Sequence, residues 1–146
     1  MRPAQTDTLP QIYYPLRVTY GLVPFLAGLD KFFGVLADWE AYLPSFAADV
    51  LPVSPAAFMA IVGVIEMIAG LAVLTKLTRL GAWVVMAWLV LIAIAVASAG
   101  YLDIAVRDLV MAVGAYTLGK VAAVRGEQWI PHSEAVQGAR THAAAN

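Results

Sequence analysis

The chain has 146 residues, of which 62% are hydrophobic and 13% charged, against about a quarter charged in a soluble domain. That leaves too few charges to coat a globule, and the apolar residues fall in long blocks, so the expected solvent is lipid. A net charge of −1 without a basic run excludes nucleic acid as a partner, and the absence of cysteine excludes disulfides, thiol redox chemistry and thiolate metal ligation.

Residues 1–13 are a polar N-terminal segment. The start, MRPAQTDTLPQIYY, lacks the basic-then-apolar pattern of a cleaved leader, so the first apolar block is expected to remain as a helix. About 20 helical residues cross the roughly 30 Å hydrocarbon core. Four blocks meet that length: Tyr14 to Leu36, Pro55 to Thr75, Leu80 to Ala99 and Leu102 to Val124. The expected fold is therefore all-α, an integral membrane bundle of four transmembrane helices over residues 14–124.

Local chemistry supports these limits. Ser54 before Pro55 is a helix start, because serine caps free N–H groups and proline suits the first turn. Pro24 cannot donate to the carbonyl of Tyr20, which predicts a kink in the first span. Between the first two spans, Trp39, Tyr42, Leu43, Phe46 and Val50 fit one face of a short interfacial helix of about two turns. An ordinary surface loop fits the same stretch. Gly100 suits the end of the third helix and Asp103 the start of the fourth. Gly21 and Gly28, like Gly63 and Gly70, lie seven apart and give smooth faces for close helix contact. Ala115 and Gly119 form a further small pair.

Loop charges give direction. Lys76 and Arg79 lie between spans two and three, and Lys120 and Arg125 at the end of span four. The other connections carry only Asp38, Glu40, Asp49 and Asp103. Basic residues stay cytoplasmic, so both termini are expected inside a multi-pass protein. Residues 125–146 read as a polar, flexible tail. Its His132 and His142 read as solvated surface, and no metal site is expected.

The residues a bilayer should reject are Asp30, Lys31, Glu66, Arg107 and Asp108, the candidate polar site. Arg17, near the inner end of span one, can snorkel to the headgroups. Sequence neighbours on a helix point about 100° apart, so each doublet should look to another helix. Both doublets fall about 8 Å below the outer boundary, which predicts crossed pairs, Asp30 with Arg107 and Lys31 with Asp108. Glu66 is then left over near the midplane, unless it shares Lys31. Burial disfavours its charged form and a nearby lysine opposes that, so the distance between the two decides its state. The alternative is that the cluster merely locks the helices in register. No phosphate loop, no nucleophile beside a base and no intramembrane histidine is present, which excludes a bis-histidine haem.

Three stretches carry a family resemblance. FLAGLDKFFG resembles the first helix of the DoxX-like membrane proteins through Gly28 and Lys31. GVIEMIAGLAVLTKLTRLGAW is similar to their second-helix signature through Glu66, Gly70 and Arg79. DLVMAVGAYTL is similar to their fourth helix. The resemblance covers roughly Leu16 to Val121. It implies a four-helix bundle in a bacterial-type plasma membrane, with a loose link to redox physiology. Relatives include a subunit of thiosulfate:quinone oxidoreductase and membrane partners of oxidative-stress and thiol-detoxification enzymes. The resemblance admits quinone as a cofactor, although no cofactor is evident in the residues themselves. The lack of cysteine sets this chain outside the thiol-active branch.

Three functions follow as expectations. One is an accessory or anchoring subunit linked to a redox enzyme or quinone, with no catalytic motif of its own. Another is a small proton-coupled transporter using Glu66, acting as a homo-oligomer because four helices enclose little room. The third is a structural subunit of a larger membrane complex. The partners expected are lipid, a redox enzyme or other complex subunits.

Overall fold

A computed structural model describes residues 4–46, 50 and 52–130. The expected tail beyond residue 130, with His132 and His142, lies outside the described residues, as does Asp49. Among the described residues four long α-helices run in chain order: α1, Ala4–Asp30; α2, Pro55–Leu74; α3, Thr78–Ser98; and α4, Leu102–Val124. A 3₁₀ turn, Trp39–Tyr42, stands between α1 and α2. Among the described residues there is no strand.

α1 departs most from expectation. It starts ten residues before Tyr14, and it continues through Pro10, Pro15 and Pro24. It also stops at Asp30, six residues before Leu36. Two features at its end explain this. Gly34 takes a left-handed backbone at φ 64°, with its N–H bonded to the Asp30 carbonyl at 2.7 Å. Glycine adopts that conformation without the steric cost of a Cβ. The Asp30 carboxylate then accepts the N–H groups of Val35 and Leu36, each at 2.9 Å, which turns the chain out of the helix.

Of the short helix expected in the connection that follows, residues 47–49 lie outside the described residues. One turn of 3₁₀ helix forms at Trp39–Tyr42. Tyr42 packs edge-on against Tyr101 with ring centroids 5.1 Å apart, which seats this segment on the turn between α3 and α4. α2 starts as its residues dictate, with Ser54 Oγ accepting the Ala57 N–H at 3.2 Å and Pro55 in the first turn. α3 ends at Gly100, φ 92°, with the Tyr101 N–H returning to the Val96 carbonyl at 2.9 Å.

α2 ends on a donor from another helix. Arg17 of α1 donates from Nε to the Val73 carbonyl at 3.1 Å. Its Nη2 donates to the carbonyls of Leu74 and Thr75, both at 2.8 Å. The last carbonyls of a helix have no partner within it, and here a guanidinium supplies one. Arg17 thus uses Nε and Nη2 to hold the end of α2 to α1. Below it, the Thr78 hydroxyl donates to the Val73 carbonyl at 2.9 Å and accepts from Tyr13 at 3.4 Å.

The helices pack most closely as α1 with α2 and α3 with α4. Contacts of α2 with α3 and of α1 with α4 join the two pairs. Small residues set the first pairing. A Cβ placed on Gly28 would run into the carbonyl oxygen of Gly63, and one on Gly70 into that of Gly21. The two seven-residue glycine spacings face each other, as the sequence predicts. The main core gathers Tyr13, Tyr20, Ala69, Val73, Val85, Leu89, Ala115 and Leu118.

α2 and α3 are long and apolar enough to cross a membrane, yet only a third of each apolar window is buried inside the protein. α1, with three prolines, Arg17 and Asp30, and α4, with Asp103, Arg107, Asp108 and Lys120, do not pass by composition. All four helices expose large apolar side chains, among them Val18 and Leu26, Ile61 and Ile68, Leu91 and Ile94, and Val106 and Val110.

Candidate functional site

The polar residues meet where α1 ends beside the middle of α2. Lys31 Nζ lies 2.6 Å from Glu66 Oε2, and the two side chains are only 4% and 7% exposed. The glycine contact makes this reach possible. A Cβ on Gly28 would sit 3.0 Å from Glu66 Cβ, and one on Gly63 would sit 3.2 Å from Lys31 Cβ. Gly28 and Gly63 thus lie three residues before the lysine and the glutamate, and their lack of side chains lets the charged arms overlap. A buried charge is tolerated only when paired and hydrogen-bonded. Glu66 is no leftover acid: it shares Lys31, the other arrangement the sequence allows.

Two indoles complete the surroundings. Trp88 of α3 directs its N–H to Glu66 Oε1 at 3.4 Å, a long bond. The Trp39 ring lies 3.8 Å from Lys31 Nζ, within cation–π range. Trp39 is itself held by its N–H, which donates to Asp30 Oδ2 at 2.8 Å. Asp30 therefore receives three N–H donors and makes no contact with Arg107. Its role is to terminate α1 and to place Trp39 over the lysine.

The crossed pairs do not form. Arg107 Nε bonds its own neighbour, Asp108 Oδ1, at 3.3 Å, with Arg107 63% exposed and Asp108 6%. The expectation that adjacent side chains cannot meet fails because the long arginine arm reaches back over the short aspartate. Lys31 pairs with Glu66 and acts on Asp108 only through space. Its position also explains the failure. Lys31 lies beyond the last helical residue, so a 100° step does not describe where it points.

Of the five expected residues, Lys31, Glu66 and Asp30 come together around Trp39, while Arg107 and Asp108 form a separate pair. Trp39 and Trp88 are the members sequence reasoning missed. The available signal was chemical: an indole N–H is donor-only and suits a site rich in carboxylates. A cleft of about 270 Å³ opens beside the pair, with Lys31, Asp38 and Glu40 as its charged lining and Trp39 and Met59 among its apolar walls. Among the described residues no three His, Asp or Glu side chains gather as a metal site.

Residues 13–98 match the model of the family described as DoxX. That match takes in Lys31, Glu66, Trp39 and Trp88 and stops at the end of α3. No curated protein and no solved structure matches the chain.

Proposed function

This chain belongs to the DoxX family of membrane proteins, and from that premise we propose that all four helices span the plasma membrane, both termini facing the cytoplasm, as an accessory subunit that anchors a redox enzyme. Apolar side chains exposed on every helix support four spans, because such a surface is at home in lipid and costly in water. Arg107 suits this placement, since it stands six residues into α4 with an arm long enough to reach the headgroups.

The observation that carries the accessory reading is the closure of the polar cluster. Glu66 is bound to Lys31 and Trp88, Asp30 to three N–H groups, and Asp108 to Arg107. A proton-coupled carrier needs a carboxylate that is free to load and release its proton, and here the midspan glutamate already holds an ammonium. A paired cluster suits a rigid membrane platform. The redox connection rests on the family resemblance, as does quinone as a cofactor.

Capture of the whole protein from membranes in mild detergent, with mass spectrometry of what stays bound, tests this. A soluble oxidoreductase or a quinone at near-stoichiometric yield is the expected result. Recovery only with subunits of a membrane complex would move the assignment to a structural role, and proton-driven substrate flux in liposomes would move it to a carrier.

Topology has a separate test. Thr78 is 1% exposed, so the cytoplasmic reporter belongs at the exposed Lys76, and Val35, 81% exposed, serves for the opposite end. With single cysteines at these positions, a membrane-impermeant reagent on intact cells should label Val35→Cys and spare Lys76→Cys. The reverse pattern would invert the orientation.

A further inference from the structure

The end of the molecule opposite the Lys31–Glu66 pair carries a second cleft, about 260 Å³, lined by Tyr13, Arg17, Thr75, Lys76, Thr78 and Glu127. We propose that it holds the phosphate of an acidic phospholipid headgroup. The proposal rests on the membrane placement argued above.

Charge is the first argument. Glu127, the acid in the lining, faces Arg125 at 3.8 Å. Neither Arg17 nor Lys76 has an acidic partner among the described residues. Arg17 spends Nε and Nη2 on the carbonyls that end α2, while Nη1 makes no hydrogen bond among the described residues. Lys76 is exposed at the turn and makes none there either. Two cations with unused donors on one cleft call for an anion with several acceptor oxygens, and a phosphate diester has that chemistry.

Depth is the second. Arg125 lies over the rings of Tyr13 and Tyr14, and Arg79 over Trp129, each within 6 Å of a centroid. Tyr14 and Trp129 are 54% and 45% exposed. Exposed aromatics interleaved with basic residues mark the headgroup level of a bilayer. Val18, next to Arg17 on α1, and Leu71, one turn before Thr75 on α2, are exposed and offer a surface for acyl chains. A free phosphate would use the cations and leave that surface idle, so the lipid is the better fit. Basic pockets between helices on this side of a membrane recognise such headgroups.

The test uses the full chain, stripped of lipid in mild detergent and titrated with phosphatidylglycerol, phosphatidylcholine or inorganic phosphate under native mass spectrometry. Phosphatidylglycerol adducts should persist where phosphatidylcholine adducts do not. Lys76→Glu should weaken phosphatidylglycerol binding about tenfold. Lys120→Glu, an exposed cation of the same end outside the lining, should change it by less than about twofold. Lys76→Gln, which removes the charge and keeps a polar side chain, replaces the charge reversal if that variant unfolds. Equal retention of both lipids, or equal effects of the Lys76 and Lys120 variants, would overturn the site. Displacement of the lipid by millimolar inorganic phosphate would reassign it to a free anion and overturn the lipid. Carbonate-resistant membrane association, measured in parallel, reports on the membrane placement alone.

Discussion

Glu66→Gln should lose about 3–5 kcal/mol of stability, the cost of leaving one partner of a buried ion pair without the other. Lys31 would remain with its side chain 4% exposed, facing an amide and an indole ring in place of a carboxylate. Lys31→Met strands the glutamate instead and should cost a similar amount. The double variant, Lys31→Met with Glu66→Met, removes both charges and both desolvation penalties. It should recover most of the loss, because an apolar pair of similar volume suits the site. Denaturant unfolding in detergent micelles, followed by helical circular dichroism, gives the three values and their coupling. Single variants within about 1 kcal/mol of the parent would mean that water reaches the pair and that it contributes as a surface bridge does.

The second large effect lies one turn away. Gly28→Ala should destabilise by about 1–3 kcal/mol, the usual range for forcing atoms into a close contact. The obstacles are a backbone carbonyl of Gly63 and the Met67 backbone N–H at 3.0 Å, neither of which can rotate aside. α1 and α2 must then separate, and the 2.6 Å ion pair lengthens with them. The loss in Gly28→Ala should therefore shrink when Lys31 and Glu66 have already been replaced by methionine. Gly34→Ala is the contrasting case. Nothing lies within 4 Å of its would-be Cβ, but φ is +64°. Its cost, about 1 kcal/mol, comes from the backbone alone and should be independent of the pair. If Gly28→Ala and Gly34→Ala prove equally mild, the helices are less tightly apposed than the structure has them.

Much of this architecture was legible in the residues. The fourth expected helix coincides with α4, Leu102–Val124, and the limits of α2 and α3 fall within two residues of expectation. Ser54, Pro55 and Gly100 act as their chemistry predicts, because capping and left-handed turns are local. The facing glycine pairs are readable from spacing alone, and a shared Lys31 is one of the two arrangements the sequence allows for Glu66.

What sequence reasoning missed depends on contacts between distant parts of the chain. α1 begins before its expected start in a stretch that holds Pro10, and packing of Tyr13 against Thr78 and Arg125 holds that stretch as helix. Its end at Asp30 is set by a loop that folds back onto a carboxylate, and no helical periodicity reports that. Once Lys31 leaves the helix, depth and angle arguments no longer locate it, and the crossed pairing falls with them. The bonds of Arg17 to the carbonyls that end α2 likewise join residues 56 to 58 apart in the chain.

The unequal packing has a mechanical consequence. α1 and α2 meet backbone to backbone through glycine, and α3 and α4 are as closely apposed, but the two hairpins touch each other over less surface. Each hairpin is a stiff plate, and the plates are tied at separate heights. They are joined by Trp88 on Glu66, by Tyr13 on Thr78 and by the short turn at Thr75–Leu77, whose start Arg17 holds to its own plate. In a bilayer, lateral stress from thickness mismatch acts on tilted helices. With the four spans proposed above, shear is expected along the seam between the plates, where the packing is thinner, and least inside each plate, where the lysine–glutamate contact lies.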